Sequence, residues 1–429
     1  MLNIPAIKLR AEKLTLVILC SVFAKACIDY FSFNISPIFG VYGVQPTGEP
    51  FSDLYWASWG IFFAVFSFFL LYIKRRKDIF DYGVCFLFFS LFIPLLSMLW
   101  IENAALSFVA FCALFWSLLF VALSLVPRVL PPLERETVFE LRLGYLYLLI
   151  IFVLMGMLIA NFGVSWDLSF ESVYDRRKVF AAWLDGSVIA YLYAWSVYVF
   201  ASYLIFISRN SILKLAGLLY IFLFYLVAGD KIYLFLVLVI FAIKVMIYKG
   251  GATLLLCLFI LLSLAGTLFW LVGNEIWIPT IVQRFLIMPS DISLNYIDYF
   301  GKENLLYGYG FLSSVFDYGY TDMPSKVIGA EYYTAGDNAT VNFLADAYVN
   351  FGWASMAPLL LFFMSLRLLL PSSRYLVLLV PIFVQAVDTP LPTILLTGGG
   401  GVIIVTAFVL THLVPRGGIH DRPAIKVGN

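Results

Sequence analysis

The amino-acid sequence predicts an all-α polytopic membrane protein: about twelve transmembrane helices and a large periplasmic loop containing short helices. Three observations carry this. Apolar residues make up 63% of the 429 residues and charged residues 12%, with a mean hydropathy of +0.97. A soluble domain runs nearer half and a quarter, and at this ratio it would lack the polar side chains to cover its surface. Apolar runs recur at the length that crosses ~30 Å of hydrocarbon as helix, about 20 residues each. Lys and Arg gather on one side of those runs. A soluble enzyme and a disordered chain are thereby excluded, and a net charge of +1 offers nothing for nucleic acid.

The spans read, in order, as 14–33, 55–73, 79–99, 104–127, 143–161, 187–207, 212–229, 231–248, 252–272, 351–370, 374–388 and 391–413. No small-residue cleavage site or polar mature chain follows the first, so it reads as a span and not a cleavable signal peptide. Gly229-Asp230-Lys231 joins the seventh and eighth as a tight hairpin. The eleventh is short, ends at Asp388-Thr389-Pro390, and is expected to be broken or tilted. In the twelfth, Gly398-Gly399-Gly400-Gly401 permits close helix packing or makes room for an isoprenyl tail.

Placing the N-terminus in the cytoplasm makes every inner loop basic. Only Arg176, Arg177, Lys178, Lys231, Arg284, Lys302 and Lys326 then lie outside, with Lys25 inside the first span and most acidic residues on the outer side. Residues 1–272 hold spans one to nine, with an outer loop at 162–186. Residues 273–350 form an outer cap rich in Tyr, 351–413 hold the last three spans, and 414–429 form a cytoplasmic tail. Loops of these lengths are unusual unless they do something. The segment 131–142 has the pattern of a short amphipathic helix on the cytoplasmic side. Leu413-Val414-Pro415-Arg416-Gly417 resembles a protease-recognition sequence and is equally readable as native, so 414–429 carry no part of the functional reading.

Five cysteines, all inside apolar runs, give no disulfide framework, and two histidines near the C-terminus give no triad or zinc site. No cofactor or metal is expected. The sharpest anomaly is Tyr174-Asp175-Arg176-Arg177-Lys178, three consecutive cations on the side where few belong. Guanidinium forks match phosphate oxygens in geometry and stay charged. The bland alternative is a solvated loop paired with Asp167, Glu171 and Asp185. Arg284 sits among Ile281, Val282, Phe285 and Leu286, as on an interfacial helix, where it binds substrate or snorkels to lipid phosphate.

Asp291, Asn295 and Asp298 share one face if their segment is helical, and one carboxylate there could take a proton from a sugar hydroxyl. Asp291 after Pro289 also fits a helix start. Asn338, Asn342, Asp346 and Asn350 recur every four residues, a polar stripe leading with Tyr348 into the tenth span. Lys25 and Asp29, four apart in the first span, read as an internal pair holding helices together.

These features resemble the bacterial Wzy-type O-antigen (oligosaccharide repeat unit) polymerases. The likeness rests on about twelve spans and two outer loops, the second longer and later. Val173-Tyr174-Asp175-Arg176-Arg177 is similar to that family's tyrosine-and-arginine stretch, with Arg177 as the motif arginine. Asn342 through Tyr348-Val349-Asn350-Phe351-Gly352 is similar to its Asn…Tyr…Phe-Gly approach to a span.

The resemblance implies a GT-C-like, metal-independent membrane glycosyltransferase in the bacterial inner membrane. Both termini would be cytoplasmic and the active site periplasmic. Donor and acceptor would be polyprenyl-pyrophosphate-linked oligosaccharides, with membrane lipids and a chain-length regulator protein as further partners. Arg177 and Arg284, helped by Arg176, would clamp the donor pyrophosphate, and Asp298 or Asp346 would take the acceptor proton. Tyr174, Lys178, Asn295, Asn338, Asn342 and Tyr348 would bind substrate. A lipid-linked oligosaccharide flippase or another twelve-helix transporter would want short loops and two similar halves. An O-antigen ligase would want an outer-loop histidine, which this chain lacks.

Overall fold

A computed structural model describes residues 4–75, 78–126, 138–167, 170–184, 187–229, 252–273, 277–301, 304–310, 312–334, 338–370 and 374–412. Among these residues the regular elements are all helical. Among the described residues eight helices are long and apolar enough to cross a membrane: Leu14–Asn34, Asp53–Ile73, Ile79–Ile101, Leu106–Leu125, Val138–Phe162, Ile189–Phe206, Ser211–Ala228 and Phe343–Leu369. They correspond to the first seven expected spans and the tenth. The stretch 231–248, with Lys231, lies outside the described residues, as do 131–137 of the expected amphipathic helix and the tail from 413 on. The stretch 252–272 forms the helix Ala252–Gly273.

The last two expected spans are broken. Residues 374–388 form a 3-10 turn, Arg374–Leu379, followed by a short α-helix, Val380–Gln385. Residues 391–412 form two helices, Leu391–Leu396 and Gly400–His412. The break falls at Gly399, whose φ is +76°; a Cβ there would lie 2.7 Å from Val199 and 2.9 Å from Trp195. The Trp195 indole donates to the Leu396 carbonyl at 3.1 Å, satisfying an acceptor that the helix end leaves open. Gly399 does pack closely, on Val199 and Trp195, and one helix ends there where the sequence predicted a continuous one.

By packing, the chain divides into two units. The first takes residues 1–127, 239–368 and 382–394; the second takes 128–238, 369–381 and 395–429. In the first, nearly every residue of Ile79–Ile101 is buried within the protein, as an apolar helix with no polar face is expected to be. Lys25 is wholly buried and donates to both Asp29 oxygens at 2.9 and 3.0 Å. Ser97 donates to Asp29 at 2.5 Å, and the Lys25 ammonium lies 4.8 Å from the Trp59 ring centre. The pair thus ties three helices together, because a buried charge persists only when its remaining hydrogen-bonding capacity is met. A second buried ion pair, Arg367 to Asp78 at 2.5 Å, joins the ends of Phe343–Leu369 and Ile79–Ile101. Asp78 also forms a capping box with Asp81 at that helix start.

The second unit packs Val138–Phe162 against Ser211–Ala228 and Ile189–Phe206, with Tyr147 stacked on Phe200 at 4.7 Å. Its loop 162–186 contains a helix, Phe170–Leu184. The 273–350 segment of the first unit carries Trp277–Val282, Met288–Phe300 and Pro324–Tyr332.

The tenth span begins at Phe343, eight residues before its expected start, and a 3-10 turn at Gly352–Ser355 interrupts it. The reason is Asn342. Its side-chain oxygen accepts from the Leu344 and Ala345 amides at 3.0 and 3.1 Å, a helix N-cap. The polar stripe therefore exists as helix only over Asp346 and Asn350, with Asn338 exposed ahead of it.

Candidate functional site

Arg176 is the best-placed cation of the second unit. Its helix, Phe170–Leu184, buries Val173 against Tyr225 and Leu226. Backbone meets backbone there: a Cβ on Gly229 would sit 2.4 Å from the Val173 carbonyl oxygen, and Gly229 holds φ +71° at the end of Ser211–Ala228. Only glycine combines that left-handed conformation with that closeness.

The side chain of Arg176 faces a cavity of about 460 Å³ lined by Phe162, Asp167, Ser172, Asp175, Arg176, Val179 and Val227. One nitrogen, Nη1, does the anchoring. It donates to Ser165 Oγ at 2.9 Å, Ser172 Oγ at 2.8 Å and the Asp167 carbonyl at 2.8 Å. Nε and Nη2 are buried and, among the described residues, meet no acceptor. These two form the flat edge of a guanidinium that binds two oxygens at once. Leaving such donors unmet costs about 1–3 kcal/mol each, so an arrangement that orients the edge and withholds acceptors is suited to an anionic ligand.

Arg177 and Lys178 are exposed beside it. The half-buried arginine of the run is Arg176, not the motif-matched Arg177: successive helical residues point about 100° apart, and this turn sets Asp175 and Arg176 on the cavity and leaves Arg177 in solvent. The side chain of Tyr174 lies outside the described residues. Arg284 is exposed on a π-helical turn, Gln283–Ile287, in the first unit.

The first unit gathers carboxylates, each with tyrosine hydroxyls. Asp346 is 2% exposed. Tyr307 donates to its Oδ2 at 2.6 Å, Tyr309 to its Oδ1 at 3.1 Å, and Asn350 Nδ2 to Oδ1 at 3.3 Å. Asp291 accepts from Tyr333 at 2.6 Å, whose hydroxyl also receives Asn295 Nδ2 at 2.9 Å. Asp298, exposed, accepts from Tyr332 at 2.6 Å. Asp291 does sit in the first turn of Met288–Phe300 and shares its face with Asn295, as expected.

Burial, then the neighbouring charge of Asp291, pushes the Glu102 carboxyl up to about 8. Asp291 itself is pushed up to about 6, chiefly by burial. The two behave as a pair that keeps a proton near neutrality.

Two expected ligands have structural partners. Beyond capping its helix, Asn342 donates to Ser293 Oγ at 2.6 Å and is 4% exposed. The Tyr348 ring packs on Phe108 and Phe111 at 5.3 and 5.0 Å. Missed from sequence were Glu102, Tyr307, Tyr309, Tyr332 and Tyr333. The available signals were an acidic residue directly after an apolar run, and the tyrosine density of 273–350. Compared with protein-family models, curated proteins and solved structures, the chain matches none.

Proposed function

We propose that the protein is a membrane glycosyltransferase of the O-antigen polymerase kind. It would transfer a glycan from polyprenyl pyrophosphate to a second lipid-linked repeat unit at the periplasmic face of a bacterial inner membrane. The observation that carries this reading is the Nε–Nη2 edge of Arg176, buried without a protein acceptor beside a cavity in a membrane-embedded chain. Pyrophosphate is a leaving group whose developing charge is met by cations without a general acid, and such electrostatic help is commonly the largest catalytic contribution. Arg176 thus takes the leading place in the clamp, with Arg177 as a solvated neighbour.

Deletion of the gene and inspection of the lipopolysaccharide ladder tests the reading. Single-repeat chains are expected, restored to full length by the wild-type gene and not by Arg176→Lys. Lipid-linked polymer without attachment would instead mean a ligase, and repeat units held at the cytoplasmic face a flippase.

A further inference from the structure

Resting on the polymerase reading, we propose that Tyr309 is the residue that touches the acceptor. Its phenolic oxygen takes the proton of the attacking sugar hydroxyl as its own proton passes to Asp346 Oδ1. Asp346 cannot meet a sugar directly: it is 2% exposed, and Tyr307, itself 8% exposed, covers Oδ2. Any proton that reaches this carboxylate from a ligand travels through a hydroxyl. Tyr309 is half-buried, so its ring reaches the edge of the cluster while its hydroxyl stays on Asp346.

The hydroxyl is oriented from behind. Asn350 Nδ2 lies 3.4 Å from the Tyr309 oxygen and also donates to the Asp346 carbonyl at 2.8 Å. A hydroxyl has one proton and two lone pairs. One Asn350 Nδ2 hydrogen serves the Asp346 carbonyl and the other is shared between Asp346 Oδ1 at 3.3 Å and the Tyr309 oxygen at 3.4 Å; with its own proton on Asp346, the Tyr309 hydroxyl keeps at least one lone pair for an incoming hydroxyl. Burial and the Asp346 charge push the Tyr309 phenol well above its ordinary range, so it holds its proton until another replaces it.

The backbone is strained to make this arrangement. Leu306 and Tyr307 hold φ of +50° and +55°, conformations that cost non-glycine residues about 1–3 kcal/mol each. Asn350 fixes that turn, accepting from the Tyr307 amide on Oδ1 at 2.7 Å and from the Leu306 amide on its carbonyl at 3.2 Å. One asparagine therefore sets both the turn and the relay. The rings of Tyr318 and Tyr320 continue the row at 5.3 and 5.2 Å, half-buried faces suited to a sugar ring.

In the step itself, the acceptor oxygen bonds to the anomeric carbon of the donor as that carbon's bond to the pyrophosphate oxygen breaks. The bonding pair leaves with the pyrophosphate. The acceptor proton replaces the one that Tyr309 hands to Asp346, and the carboxyl later returns a proton to water by the same route.

The test uses the purified full chain in proteoliposomes with a synthetic polyprenyl-pyrophosphate-linked repeat unit. Tyr309→Phe should slow single-turnover coupling about a hundredfold, the usual scale for general base catalysis. Asp346→Asn should slow it at least as much and abolish the acidic limb of the pH–rate profile. Tyr309→Phe should lower that limb without moving it. Wild-type coupling should also show a normal solvent deuterium isotope effect, a readout independent of how well any variant folds. A wild-type rate in Tyr309→Phe, or no isotope effect, overturns the relay and leaves the polymerase reading standing. Wild-type protein that couples no repeat units overturns the polymerase reading, and the relay with it.

Discussion

Arg176 and Asp346 are both charged groups withdrawn from water, and their surroundings treat them in opposite ways. Asp346 is met by two phenols and an amide, each donating to one of its oxygens. Arg176 is anchored through one nitrogen, while its Nε and Nη2 are buried without a protein acceptor. Withdrawn charge is expensive unless hydrogen-bonded. The carboxylate cluster meets that requirement from within the chain. The guanidinium meets half of it and orients the rest. The first arrangement suits a group that handles protons, and the second suits a group that holds an anion.

The sharpest way to break this comparison is Arg176→Lys, which keeps the charge and removes the fork. Polymer formation should fall about a hundredfold, about 3 kcal/mol of lost charge stabilisation, whereas Arg177→Lys should cost under ~1 kcal/mol in the same ladder assay. Equal effects would make the buried edge irrelevant.

Two glycines of the second unit separate conformation from contact. Gly229→Ala should lower stability by about 2–3 kcal/mol, because the left-handed conformation costs ~1–2 kcal/mol and the methyl meets the Val173 carbonyl. Gly163→Ala, at φ +69° with open space around it, should cost only the conformational part, about 1 kcal/mol. Thermal melting in detergent compares them, and equal shifts would mean that Phe170–Leu184 is not held where it lies.

On the carboxylate side, Asn342→Ala removes a buried cap and a donor to Ser293, and should cost about 1–2 kcal/mol. Asn342→Asp keeps the capping oxygen, so it should recover part of that loss; an alanine melt at the wild-type temperature would mean that Asn342 is not there to hold the helix start.

The smallest effect concerns Glu102 and Asp291. Both are held above their usual range in the folded protein, Glu102 at about 8 and Asp291 at about 6. The folded state therefore binds more protons than the unfolded one, and stability falls as pH rises from about 4 through 8. Glu102→Gln should flatten the upper part of that fall and raise the melting temperature at pH 8.5. A wild-type melt that rises over this interval would reverse the sign and dissolve the pair.

Much of this was legible in the sequence. Seven spans were placed within a few residues, because a long apolar run has one way to satisfy its backbone in lipid. Lys25 and Asp29 were readable as a pair from their spacing alone. The start of the Phe343–Leu369 span was not, because the polar residues Asn342, Asp346 and Asn350 lower the apolar signal where the helix begins. The choice between Arg176 and Arg177 was also hidden, since adjacent identical residues differ only in which helix face the neighbouring elements cover.

By itself, then, the sequence determined that the chain is a helical protein of the membrane and where most of its spans run, and it singled out arginines, carboxylates and amides in 162–186 and 273–350 as the candidates for chemistry. Composition and period suffice for that, because burial in lipid is a property of each segment. Only the tertiary structure decided that Tyr307 and Tyr309 close on Asp346 from nearly forty residues away in the chain, that Glu102 joins Asp291, and that Gly229 lets the Arg176 helix approach. Those are distances between segments, and a hydrogen bond or a carbonyl contact is set by a few tenths of an ångström that no local pattern encodes.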